Sequence, residues 1–142
     1  MSEEKIKVNE ITRIPYGATI RCTVLTSATD IRIDGDFEGR IKSEGKVVIG
    51  ETAVIKGDII CRNADIWGRI DGDVVTSEIL NLMSTAVFEG QVNCQKLGVE
   101  NGARFNGVCR ITDADAFARL MTEFDLKTME YSGKTPARVP EI

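Results

Sequence analysis

The 142-residue chain has no histidine, only three prolines and one tryptophan, and 6% aromatic residues in all. The missing imidazole removes the usual general base of nucleophilic catalysis and the commonest metal ligand. No Gly-x-Ser-x-Gly elbow, phosphate-cradling Walker loop or HExxH helix occurs either. No apolar run approaches the roughly 18 residues of a membrane span, and the start, MSEEKIKVNE, lacks the apolar centre of a secretory signal. The net charge is −4 and the basic residues are scattered, which argues against a nucleic-acid partner. The cysteines Cys22, Cys61, Cys94 and Cys109 form no CxxC pair. They read as reduced, small buried hydrophobes rather than as a zinc site or a disulfide framework. Asp34/Asp36, Asp71/Asp73 and Asp113/Asp115 are spaced as carboxylate pairs, and read as solvated outer faces because no GGxGxD calcium repeat accompanies them. The expectation is a chain with no catalytic, cofactor-binding or metal-binding residues.

What is present is a repeat. Ile66–Val75, IWGRIDGDVV, poses the problem: its alternation reads as strand, whereas Asp71-Gly72 reads as a hairpin turn. The same pattern recurs as GDFEGRI (Gly35–Ile41), AVIKGDI (Ala53–Ile59), GRIDGDV (Gly68–Val74), AVFEGQV (Ala86–Val92) and ARFNGVC (Ala103–Cys109). A degenerate first copy is ATIRCTV (Ala18–Val24). The anchors Cys22, Gly39, Gly57, Gly72, Gly90 and Gly107 are 17, 18, 15, 18 and 17 residues apart. Two residues before them stand Ile20, Phe37, Ile55, Ile70, Phe88 and Phe105; two after stand Val24, Ile41, Ile59, Val74, Val92 and Cys109. Further apolar pairs, Val47/Ile49, Leu80/Leu82 and Leu97/Val99, precede the later copies.

The glycines lie inside the apolar alternation and not between mirrored halves, so a meander of hairpins does not fit. A short period with strands in constant phase predicts an all-β parallel β-helix (β-solenoid) of about six short coils. It spans residues 15–112, after a flexible segment 1–14. The shortened copy predicts a tightened corner beside Asn63-Ala64-Asp65, and Val54, Ile60, Trp67, Val75, Val87 and Val108 are expected to face solvent. Of these, Trp67, Val54 and Val87 are candidates for a lateral or partner surface.

An uncapped solenoid leaves unpaired backbone groups and lumen side chains at both ends. Here they are Phe105, Cys109 and Ile111 at the C-terminal end, and Ile14, Ile20 and Val24 at the N-terminal end. After the repeat, Asp113 or Asp115 is placed to cap a helix over 113–131. Its stripe Phe117, Leu120, Met121 and Phe124 is expected to cap the last coil or to dock a partner. The tail 132–142, SGKTPARVPEI, reads as disordered.

IRIDGDFEGRI, KVVIGETAVIKGDI, ADIWGRIDGDV and VENGARFNGVC, in that order over about residues 17–111, closely resemble the bactofilins. That resemblance implies a right-handed, triangular β-helix that polymerises end to end, without nucleotide, into cytoskeletal filaments. Such filaments serve as scaffolds for bacterial cell shape and cell-wall enzymes. It also implies that Phe105 is the aromatic of the C-terminal polymer interface. The implied partners are further copies of the chain, cell-wall enzymes or another bactofilin. Cofactors are not implied. The polar N-terminus departs from the membrane-touching peptide of many family members. The expected location is therefore the cytoplasm, with the inner face of the cell membrane as the alternative. A competing reading is a β-helical dimerisation or regulatory module that docks on another filament or enzyme. An enzyme on a solenoid is disfavoured by the lack of histidine.

Overall fold

The computed structural model describes residues 11–131; the expectations for residues 1–10 and for the tail 132–142 lie outside them. Among the described residues, strands alternate short and long. The short strands β1 (Ile11–Ile14), β3 (Asp30–Ile33), β5 (Lys46–Ile49), β7 (Asn63–Ile66), β9 (Ile79–Leu82) and β11 (Lys96–Val99) form one sheet. The long strands β2 (Thr19–Ser27), β4 (Asp36–Ser43), β6 (Val54–Cys61), β8 (Arg69–Thr76), β10 (Val87–Cys94) and β12 (Arg104–Ile111) form the other. The pairings in both sheets are parallel and follow chain order. One short and one long strand therefore make one coil, and six coils stack as a parallel β-solenoid.

Asp71-Gly72 lies inside β8 and reverses nothing. Each repeat glycine sits at a bend in its long strand: Gly39, Gly57, Gly72, Gly90 and Gly107 have φ between 140° and 157°. A side chain at Gly72 would also drive its Cβ into the carbonyl oxygen of Gly57 below it. Conformation and contact together demand glycine there. The bend divides each long strand in two, so a coil has three sides: A from the short strand, B before the glycine and C after it.

The first coil corrects the alignment. Cys22 cannot adopt the glycine conformation, and the pairing of β2 with β4 slips between Arg21 and Val24. Arg21 sits beside Glu38, yet Val24 sits beside Arg40 and Leu25 beside Ile41. Leu25, rather than Val24, therefore continues the lumen column. The shortening lies only in part where expected: one residue drops out just before Asn63, since Lys42 sits beside Ile60 but Lys46 beside Asn63. Lys46 sits beside Asn63, but Val54 sits beside Arg69, so two residues drop out between Ile66 and Arg69. The tight corner is Trp67-Gly68, whereas Asn63–Ile66 is the regular strand β7. The solenoid begins earlier than expected as well: Ile11–Ile14, inside the segment read as flexible, pairs with β3.

Inward columns fill the lumen. Phe37, Ile55, Ile70 and Phe88 form one; Ile41, Ile59, Val74 and Val92 form another; Ile33, Ile49, Ile66 and Leu82 a third, all buried. Burying each such side chain stabilises by about 1.5–3 kcal/mol. This stack is the core.

Helix α1 (Ala114–Tyr131) follows β12 directly. Asp113 caps it, its Oδ1 accepting the Ala116 N–H at 2.8 Å. The helix does not rest on the last coil. It runs back along side C, where Phe124 packs with Ile60 and Val75, flanked by Phe117, Leu120 and Met121. Ile60 and Val75 are thus buried, contrary to the expectation that they face solvent. They point outward from the lumen as the alternation requires, but onto a helix. Eighteen residues give a helix of about 27 Å, close to the roughly 24–29 Å of six stacked coils. It reaches back as far as β2.

Candidate functional site: the open ends of the rod

The lumen columns run off both ends of the rod, and they end differently. At the C-terminal end β12 pairs with β10 residue for residue over its whole length. Among the described residues no strand lies beside its other edge. Phe105 stacks on Phe88, ring centroids 5.4 Å apart, and is half-buried where Phe88 is fully buried. Ile111 continues the column of Cys94 and is 66% exposed; Val99 continues that of Leu82 and is 56% exposed. Cys109 lies above Val92, half-buried. Phe105, Cys109 and Ile111 therefore share the open end, and Val99, outside the expected end set, joins them. Its place in the Leu82 column was the available signal.

At the N-terminal end the predicted set divides. Ile20, beneath Phe37, is 37% exposed and forms part of the open end. Ile14 is 3% exposed, packed into the cluster with Ile31 and Ile33. It is core within a single chain, not a side chain left for a neighbour. Val24 points out beside Arg40, and the half-buried lumen residue at this level is Leu25.

The sides give a different picture. On side B the outward ladders mix charges, with Arg21–Glu38 at 3.1 Å and Arg69–Glu89 at 3.7 Å. Val54 stands between Asp36 and Arg69, and Val87 between Arg69 and Arg104. These valines form no continuous apolar strip. Trp67 sits on the tight corner, in a cleft of about 320 Å³ lined also by Arg32, Asp34, Gly50, Glu51 and Thr52. Arg32 grips Asp34 there through two hydrogen bonds of 2.9 and 3.2 Å. The two-residue corners at Asp34 and Trp67 are overhung by longer ones, whose Thr52 and Thr85 hydroxyls donate to the Asp34 and Trp67 carbonyls at 2.6 Å.

Two thiols, Cys61 and Cys94, behave as the expected buried hydrophobes; Cys22 is exposed instead, on the slipped strand of the first coil, and Cys109 is half-buried. Cys61 is buried, which pushes its pKa up to about 12. Cys94 is raised to about 12 by burial first and by the neighbouring Cys109 thiol second. Among the described residues no cluster of three or more potential metal ligands occurs, and no helix is long and apolar enough to cross a membrane.

A rod whose core columns continue to an unpaired strand edge is suited to adding another rod. The profile of the family described as "Bactofilin: Polymer-forming cytoskeletal" matches residues 12–110, the solenoid almost from end to end. The chain belongs to the bactofilin family. Its relatives include Bactofilin BacO of Myxococcus xanthus (strain DK1622), 27% identical over 78 residues, which are 55% of this chain and 62% of BacO. Bactofilin BacP of the same organism is 22% identical over 91 residues, 64% of this chain and 38% of BacP. The chain thus spans well under two thirds of BacP and slightly under two thirds of BacO. No solved structure matches significantly. Bactofilins are structural, polymer-forming cytoskeletal proteins and not enzymes.

Proposed function

We propose that this bactofilin is a subunit of nucleotide-independent filaments built by stacking solenoids end to end, and that the filaments act in the cytoplasm as a scaffold for cell shape or cell-wall organisation. The observation that carries the assembly mode is the C-terminal end. Among the described residues a full-length strand edge lies unpaired there, bordered by Phe105, Cys109, Ile111 and Val99, whose counterparts one coil below, Phe88, Val92, Cys94 and Leu82, are all buried. Another strand added to β12 would satisfy its free N–H and C=O groups and bury those side chains together. At the N-terminal end Ile20 and Leu25 are the matching contributors. Cell-wall enzymes or another bactofilin as passengers, and freedom from nucleotide, follow from the family resemblance.

Negative-stain microscopy of the purified chain at low and high salt tests the assembly mode. Filaments should persist at high salt, because apolar burial is insensitive to screening. Phe105→Arg should leave a folded, unassembled rod. Unchanged filaments from that variant would remove the C-terminal end from the interface. A particle that stops at a discrete dimer would favour a regulatory docking module instead.

A further inference from the structure

Side C holds a second apolar surface, separate from the lumen. Ile60 and Val75 lie side by side on adjacent strands, both pointing outward. Among the described residues they are the one place where outward aliphatic side chains of neighbouring coils stack. Val54 and Val87 on side B, and Val48 and Ile79 on side A, each have polar or charged neighbours in register. Helix α1 covers this pair. Phe124 is 6% exposed on top of it, with the Arg40 guanidinium 4.0 Å from its ring centroid. Arg40 also bonds Asp58 at 2.9 Å, and Lys42 reaches Asp125 at 2.9 Å. The helix cluster and the lumen cluster share no residue. Only Thr112 and Asp113 connect α1 to the rod. The helix can therefore leave side C without opening the core.

We propose that α1 is an intramolecular guard, which holds closed a lateral contact surface for a second copy of this chain. The partner is a copy in a neighbouring filament, because the strip is so small. Two aliphatic side chains and their surroundings fall well short of the roughly 1,200–2,000 Å² buried in a stable pairwise interface. In a filament the strip recurs once per rod, about every 29 Å, and contacts too weak for one pair add up along two parallel polymers. The matched lengths of α1 and the rod let the helix cover side C while leaving the coil ends clear. The guard then controls bundling and leaves end-to-end growth alone. This inference rests on the polymer reading above.

The test compares the 142-residue chain with Leu120→Glu/Phe124→Glu and with the same variant carrying Ile60→Lys. Amide exchange over α1 reports whether the helix is released. Low-speed against high-speed sedimentation, with filament width by microscopy, reports bundling. The double variant should exchange α1 amides faster, keep its filaments, and show a several-fold rise in the low-speed pellet with wider filaments. Ile60→Lys should return the width to that of the parent. Overturning results are a released helix with unchanged width, bundles that survive Ile60→Lys, or α1 amides as protected as in the parent. If the parent chain forms no filaments at all, the polymer reading itself falls. Filaments of unaltered width sink only the guard.

Discussion

The middle coils and the end coils of this rod are built from the same columns. Phe88 and Phe105 are the same residue type at the same repeat position, one coil apart. Phe88 is sealed in the lumen, while Phe105 is left half-open. The Leu82 and Val99 pair differs in the same way, as does Cys94 with Ile111. Nothing in local conformation separates the members of each pair; what differs is whether another coil lies on top. In a solenoid, core and interface are therefore one surface, interrupted where the chain stops. The two ends are interrupted unequally. The last coil keeps perfect register, whereas the first carries a slip at Cys22 and buries Ile14.

The most severe way to break the comparison is to attack a middle column. Ile70→Asp buries a carboxylate among Ile55, Phe88 and their neighbours, and should destabilise by more than about 4 kcal/mol, unfolding the rod by circular dichroism. Gly72→Val combines a disfavoured backbone conformation with the Gly57 carbonyl. It should cost at least ~2 kcal/mol, read as a lower melting temperature. The matching change at an end, Ile111→Asp, should leave melting of the rod almost unchanged and abolish sedimentable polymer. Ile20→Asp should weaken assembly less, because Ile20 is more covered than Ile111 and the half-buried Leu25 remains at that end.

The thiols give the mildest probe. Cys22 is exposed and should react with a thiol reagent in the native protein, Cys109 more slowly, and Cys61 and Cys94 only on unfolding. Because the folded state holds Cys61 and Cys94 protonated up to about 12, their contribution is complete below the unfolded thiol's pKa. As pH rises from about 9 toward 12, ionisation of the unfolded chain should progressively lower stability. A denaturation midpoint that stayed flat over that range would contradict this burial. If assembly buries Cys109 on a neighbour's coil, its labelling should slow further in the polymer.

The phase of the glycines and the inward columns could be read from the sequence, because period-two alternation fixes which side chain shares a face with which. That logic made IDGDV one pass through a coil and selected Phe105. It failed where local chemistry changed the count. Cys22 cannot take the glycine bend, so the first coil slips and puts Leu25, not Val24, in the column. The short copy loses two of its three missing residues at Trp67-Gly68, where a tight corner is closed from above by the Thr85 hydroxyl. A plain gap count could not locate either event.

Alternation also placed Ile60 and Val75 on the outside, correctly as to direction, but it carries no information about what lies beyond. The amphipathic stripe of α1 likewise specified one apolar face without saying which surface would receive it. Residues far apart in the chain settled that: Phe124 met Ile60 and Val75, and Asp125 met Lys42. Repeat, strand direction and lumen were thus determined by the sequence alone, since each depends on neighbours at a constant spacing. The path of the helix, the closed Ile14 and the position of the tight corner were decided only in three dimensions, where packing and backbone sterics choose among surfaces that the alternation leaves equivalent.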